Sequence, residues 1–259
     1  MPIQRHDDGG ITRLTLDRPE RMNAMDPEMR EQLLENLMDI RSDPSRRALV
    51  ITGAGGHFCT GADVQAMGER KRGFKTGRMM IRNSAHRYVA LIQDLDIPVI
   101  ASVPGHAAGV GWAIALAADV ILAAPQARFT AAFVRIGLAP DGGLVWQLAR
   151  ALGQYAAKEI VLTGRTVEAE EAGRLGLVTR VVADGALETE TQAMAERLAS
   201  GPTLALAMAK RQFMAAQSPG FVPFLENEAL MQPVMQLTED NAEGIAAFRE
   251  KRKAQFKGE

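Results

Sequence analysis

Asp141 is the one acid in an otherwise apolar, small or basic run, ARFTAAFVRIGLAPDGG (127–143), where it sits between Pro140 and the pair Gly142-Gly143. A lone carboxylate in that setting has two uses. It can N-cap a helix running to Arg150, a role worth about 1 kcal/mol. Or apolar surroundings can raise its pKa and suit it to taking and returning a proton. Two glycine-rich turns supply complementary parts: GAGGHFCTGAD (53–63) after the buried strand ALVIT, and PGHAAGVGWA (104–113) after IPVIASV. Such turns free backbone N–H groups to point at an anion, and the second leads into a helix whose N-terminus adds positive potential. Donors from two turns that converge on one carbonyl oxygen form an oxyanion hole. Tight packing of strand on helix is the other use of such glycines.

Other chemistries fit poorly. Gly109-Val110-Gly111 is followed by Ile114 where a dinucleotide fingerprint needs Gly or Ala, and no acid follows about 20 residues on. There is no Walker A lysine and no serine in a G-x-S-x-G elbow. His6, His57, His86 and His106 lack zinc-ligand spacing, so no metal is expected.

The elements that must position these residues alternate. ITRLTL (11–16) reads as a strand. Asp26-Pro27 starts a helix with Met29, Leu33, Leu37 and Ile40 on its apolar face. Helix is predicted over 79–95, 112–118, 154–163, 167–175 and 186–199, and strand over 97–103 and 120–123, with 178–182 extended. Strand, glycine turn, helix and strand in succession predict an α/β fold with a largely parallel sheet. After Gly201-Pro202 no strand pattern remains, and Pro223 and Thr238 start further helices, so 201–259 reads as a helical tail on a core of residues 1–200.

The 259 residues carry a net charge of −1 and are 47% hydrophobic, so no bulk field draws the chain to nucleic acid or membrane. Cys59 is the only cysteine, which excludes an internal disulfide. The start has no apolar signal region, and Val99 to Ala124 is too interrupted to span a bilayer. A cytoplasmic protein is expected. ERKRGFKTGRMMIR (69–82) has six bases and one acid and reads as a solvated face, or as a lid whose bases favour phosphates.

Four boxes resemble the crotonase, or enoyl-CoA hydratase/isomerase, superfamily. FCTGAD is similar to its F-C-A-G-A-D box, and GHAAGVGWAIALAADVILAA to its second. LTGRTVEAEEAGRLGLVTRVV and GIAAFREKRKAQFKG are similar to the segments that follow, in the expected order over roughly residues 10–257. The resemblance implies a crotonase-like spiral of β/α turns with a C-terminal helical oligomerisation tail, in homotrimers or homohexamers. It implies an acyl-CoA thioester substrate and no resident cofactor, coenzyme A entering with the substrate. The thioester oxygen would accept from the N–H groups of Ala62 and Val110, although glycine is usual at Val110. CoA would run along Met22, Asn23 and Ala24 and along Ala62, Asp63, Val64 and Gln65. Arg18 or Arg21 would meet its phosphates, and Lys251 and Phe248 would reach a neighbour's CoA. Phe133, Met67, Met79, Met80 and Trp146 suggest an apolar pocket. Cys59 reads as box packing, and Asp63 and Asp119 as acids that fix their own boxes.

The sequence departs from the family's hydratases. Where those carry two glutamates, this chain has Ala113 and Phe133, neither of which can move a proton. Asp141 matches an aspartate in I-G-L-x-P-D-x-G, as in branches that shift double bonds or open a ring epoxide. The resemblance therefore favours an enoyl-CoA isomerase with Asp141 as proton shuttle. The alternatives are a hydratase with a non-standard acid-base set, an aryl-CoA dehalogenase or thioesterase using Asp141 and His86, and a non-catalytic acyl-CoA-binding or RNA-binding relative.

Overall fold

The computed structural model describes residues 1–64, 73–217 and 220–259. The chain opens with a hairpin in which β1 (Ile3–Asp8) pairs antiparallel with β2 (Ile11–Leu16) about Gly9 and Gly10, both at positive φ. Only Ile3 of β1 is buried, so this strand has no apolar alternation to betray it in the sequence. α1 (Pro27–Ser42) begins as its sequence predicts. The Asp26 carboxylate accepts the Met29 N–H at 2.8 Å, and Met29, Leu33, Leu37 and Ile40 are its buried face. β3 (Ala48–Gly53) lies parallel to β2.

The helix expected over 79–95 is two helices, α2 (Phe74–Asn83) and α3 (Ala85–Asp94). Ser84 breaks it with φ −123° and ψ −91°, its hydroxyl donating to the Met80 carbonyl at 2.8 Å. β4 (Val99–Val103) follows. The second glycine turn then holds a short strand, β5 (His106–Ala108), before α4 (Val110–Ala117) and β6 (Val120–Ala123). β7 (Arg128–Thr130), α5 (Leu144–Leu152), α6 (Gln154–Thr163), β8 (Thr166–Glu168), α7 (Ala169–Arg174), β9 (Arg180–Val181) and α8 (Leu187–Ala199) complete the part rich in strands.

These strands build two sheets. The larger has the order β1-β2-β3-β4-β6-β9 and is parallel except for the opening hairpin. The smaller, β5-β7-β8, is made of three-residue strands, too short to read from periodicity. Trp112, Tyr88, Phe58 and Phe129 are fully buried in the main core. α8 covers the far face of the large sheet, where Ala195 and Ala199 meet Ile11, Val50 and Ile100.

The last three helices, α9 (Thr203–Ala215), α10 (Phe221–Met235) and α11 (Glu239–Glu250), form the helical tail. Arg47 and Lys210 help to fasten it. Arg47 donates to the Gly201 carbonyl at 2.7 Å, the Thr203 hydroxyl at 3.1 Å and the Phe256 carbonyl at 3.2 Å. Lys210 donates to the carbonyls of Ile92 and Ile97 and pairs with Asp119 at 2.8 Å, while Asp119 also accepts the Val99 N–H. Asp119 thus fixes its own box, as its sequence suggests, and also ties the tail to the core. α10 buries none of its residues, and Phe213, Phe221, Leu230, Leu237 and Phe248 are exposed. Among the described residues no helix is long and apolar enough to cross a membrane.

Candidate active site

The two glycine turns meet backbone to backbone. Cys59 donates to the His106 carbonyl at 3.0 Å, and Ala108 donates back to the Cys59 carbonyl at 2.9 Å. A Cβ on Gly61, whose φ is +95°, would lie 3.0 Å from the Ala108 carbonyl oxygen, and one on Gly111 would run into the Cys59 carbonyl. No side chain fits between the turns. Gly111→Ala is therefore expected to lower stability by about 3 kcal/mol or more, because the obstacle is backbone rather than a flexible side chain; denaturant unfolding of the variant beside wild type checks this.

This seam sets Ala62 and Val110 on its two sides. Met25 donates to the Gly61 carbonyl at 2.7 Å and accepts from the Asp63 N–H at 3.1 Å, which holds Ala62 between them. Val110 is the first residue of α4, where helix geometry leaves the N–H without an internal acceptor. Neither the Ala62 nor the Val110 N–H donates a hydrogen bond among the described residues. The valine is no obstacle: the positive φ of this turn, +54°, belongs to Gly109, and Val110 is helical.

Asp141 is delivered to the same place. A Cβ on Gly142 would lie 3.0 Å from the Ala113 Cβ and 3.2 Å from a Val110 methyl carbon, so the residue after Asp141 packs directly on the first turn of α4. Phe133 approaches from the other side, 3.7 Å from where a Cβ on Gly109 would be. The two positions where the family's hydratases carry glutamate, Ala113 and Phe133, are thus buried and apolar here.

Asp141 does not cap a helix. α5 starts after Gly143, itself left-handed at φ +74°, and no side chain caps its N-terminus. Only the Asp141 backbone carbonyl takes part, accepting the Leu144 N–H at 3.2 Å. The Asp141 Oδ1 atom is buried and has no hydrogen-bond partner. Burial raises the carboxyl above its ordinary pKa, against the lowering influence of His86 and Arg30.

The other expected site residues divide. His86, on α3, is exposed, and no hydrogen bond or ion pair joins it to Asp141; its charge acts on Asp141 through space only. Asn23 is buried and left-handed, and its side chain accepts from the Arg18 N–H and donates to the carbonyls of Ala54 and His57. Met22, also left-handed, and Val64 are exposed. Arg18 is not available to a phosphate. It donates to the Ala24 carbonyl and lies 3.4 Å from Asp26 and 3.2 Å from Asp63, so internal acids already neutralise it. Lys251 is exposed and left-handed at the end of α11, where its N–H caps the helix, and Phe248 is exposed nearby. Met79 and Trp146 are on the surface, the latter under the Arg150 guanidinium, whereas Met80 lines a cleft. Gln65 and Met67 lie outside the described residues, as do residues 69–72 of the basic stretch. Cys59 is buried and its thiol is pushed up to about 12 by desolvation, in keeping with packing rather than reactivity.

That cleft, about 580 Å³, runs between α1 and the α2–α3 pair, and Asp63, the residue after Ala62, lines it. Arg30 lines it, and sequence reasoning missed this residue. Its one signal was position: Arg30 sits one place off the buried stripe of α1, where a long side chain reaches into a neighbouring space.

The chain matches the family described as enoyl-CoA hydratase/isomerase over residues 6–259. The chain belongs to this family, the crotonases. A Rhodobacter capsulatus protein described as a probable enoyl-CoA hydratase is 39% identical, over 96% of this chain and 95% of its own. The 1,2-epoxyphenylacetyl-CoA isomerase of Escherichia coli is 36% identical, over 99% and 98%. The crystal structure of an enoyl-CoA hydratase from Polaromonas superposes with a TM-score of 0.93 at 34% identity, over 98% of this chain and 99% of that one. The protein is thus an acyl-CoA-processing enzyme with the crotonase fold, and its named relatives include both hydratases and an isomerase.

Proposed function

We propose that this crotonase is an enoyl-CoA isomerase that moves a double bond from C3 to C2 of the acyl chain. The observation that carries the reading is Asp141: a carboxylate with a buried oxygen that has no partner among the described residues, one residue before the Gly142 that packs on the first turn of α4, where Ala113 and Phe133 stand in place of the glutamates of the family's hydratases. In the proposed reaction the Asp141 carboxylate removes a proton from C2 of a 3-enoyl thioester. The electron pair moves through the thioester to its oxygen and leaves a dienolate. The N–H groups of Ala62 and Val110 hold that oxyanion. Protonated Asp141 then returns the proton at C4, the double bond reforms between C2 and C3, and the carboxylate is restored. One group serves both transfers, so a second acid is not required.

The CoA arm is proposed to follow Met22 to Ala24 and Ala62 to Val64 through backbone contacts. The exposed apolar residues of the tail are proposed to pack between subunits in a trimer or hexamer, in line with their number on α10.

Water addition is the second reading, supported by the hydratase name of the Rhodobacter relative. It asks one carboxylate both to activate water and to serve the α-carbon, with no second acid among the residues described around it. The two readings separate on the purified enzyme. Conversion of 3-hexenoyl-CoA to 2-hexenoyl-CoA is expected to exceed hydration of crotonyl-CoA by about tenfold or more in kcat/KM. Faster hydration would reverse the assignment.

A further inference from the structure

The cleft between α1 and the α2–α3 pair contains a cation with no counter-ion among the described residues. Arg30 is half-buried, and among the described residues its guanidinium makes one hydrogen bond, from Nη2 to the Met25 carbonyl at 2.9 Å, and no ion pair. The reason lies next to it. The nearby acids Asp26, one turn earlier on the same helix, and Asp63, in the same cleft, are both engaged by Arg18. A guanidinium carries five N–H donors in a planar fork. Leaving most of them unmatched in a half-buried site is costly unless something else fills them.

The cleft has other charges. Arg87, exposed on α3, lines it too, and among the described residues its guanidinium donates only to the Met38 sulfur, at 3.7 Å. Glu31 is the cleft's remaining acid, exposed and following Arg30 on α1, so the two side chains leave the helix in different directions. Two guanidiniums therefore face one carboxylate that is not already paired. Asp63, the residue after the proposed oxyanion donor Ala62, lines the cleft, and the Arg30 charge reaches Asp141. An acyl chain that entered this cleft would meet Met80 and Arg30, which both line it.

Building on the isomerase reading, we propose that Arg30, with Arg87 across the cleft, binds a carboxylate at the far end of the acyl chain, so that the substrate is an ω-carboxyacyl-CoA rather than a simple fatty acyl-CoA. The fork matches a carboxylate in two hydrogen bonds, the geometry in which arginine discriminates best. A plain alkyl chain would desolvate the guanidinium and give nothing in return.

The test uses two saturated, unreactive thioesters of equal chain length, adipoyl-CoA and hexanoyl-CoA, titrated calorimetrically into the full-length enzyme. Wild type is expected to bind adipoyl-CoA about tenfold or more tightly than hexanoyl-CoA, and the ratio is expected to shrink as salt is raised. In Arg30→Gln the ratio is expected to fall close to one, and Arg30→Lys, which keeps the charge and loses the fork, is expected to retain part of it. Equal affinities in wild type, or a preference for hexanoyl-CoA, would overturn the proposal and leave the acyl-CoA reading intact. An unchanged ratio in Arg30→Gln would also overturn it, and would show that Arg30 serves only the Met25 carbonyl beside Ala62. Binding of neither thioester would overturn the acyl-CoA reading and this proposal together. If Arg30→Gln does not fold, the wild-type ratio, its salt dependence and the same ratio in Arg87→Gln decide.

Discussion

Asp141→Asn is expected to lower isomerisation of 3-hexenoyl-CoA by about 100-fold or more, because the amide keeps the shape of the carboxylate but cannot accept a proton. No helix cap is lost with it, since α5 is not capped by this side chain. The stability change has a defined sign. Folding raises the Asp141 pKa, so the native state holds this proton more tightly than the unfolded chain does. The ionised carboxylate therefore costs stability, a cost absent below the ordinary carboxylate pKa of about 4 and fully present above the raised one. At pH 7 the asparagine variant should melt no lower than wild type, and its advantage should fade as the pH falls towards 4. The same shift shapes the rate. The resting enzyme must hold Asp141 ionised to take the C2 proton, so kcat/KM should climb with pH through a limb lying above the usual carboxylate range. A folded Asp141→Asn enzyme with undiminished turnover would remove Asp141 from the reaction.

Val110→Pro is expected to cost about 100- to 1000-fold in kcat, the loss seen when one oxyanion donor is removed. The substitution takes away a single N–H that the fold does not use. Position 110 is the first residue of α4, the place where a helix accepts proline. Val110→Ala is the control. It trims the methyl that approaches Gly142 but keeps the donor, and should keep most of the turnover. Turnover and melting temperature of the three proteins, measured together, separate a lost donor from a disturbed turn. A proline enzyme as active as the alanine one would mean the thioester oxygen lies elsewhere.

How much of this could be read from the chain follows from what each residue does. α1 was legible to the residue because its cap, its first-turn proline and its apolar stripe are local signals. β2 was legible by its alternation and β3, β4 and β6 as short apolar runs, while β1, with one buried position, gave no pattern. β5, β7 and β8 are three residues each and exist because distant segments pair, His106 with Arg128 and Phe129 with Val167, which no local window contains. The site shows the same divide. Ala62 and Val110 are marked by glycines around them. Whether Asp141 caps a helix or faces a site was open, because the answer depends on two left-handed glycines that follow it and on the α4 turn against which Gly142 packs. Arg18, which the resemblance sends to the CoA phosphates, and Arg30, to which the sequence reading gives no role, are told apart only by their ion pairs. The first is spent on Asp26 and Asp63, and that leaves the second without a counter-ion.

The Arg47 clamp has a consequence for how the chain is made. Its hydrogen bond to the Phe256 carbonyl closes a loop of 209 residues, and two more backbone donors next to that carbonyl, at Lys257 and Gly258, are held by the Asp240 carboxylate. None of these contacts can form until residues 256–258 have left the ribosome. The β/α turns can pair as they emerge, but this part of the latch waits for residues 256–258. A polypeptide that stops before Phe256 would thus lack these Arg47 and Asp240 contacts and hold its tail through the remaining ones, such as those of Lys210 and Arg211.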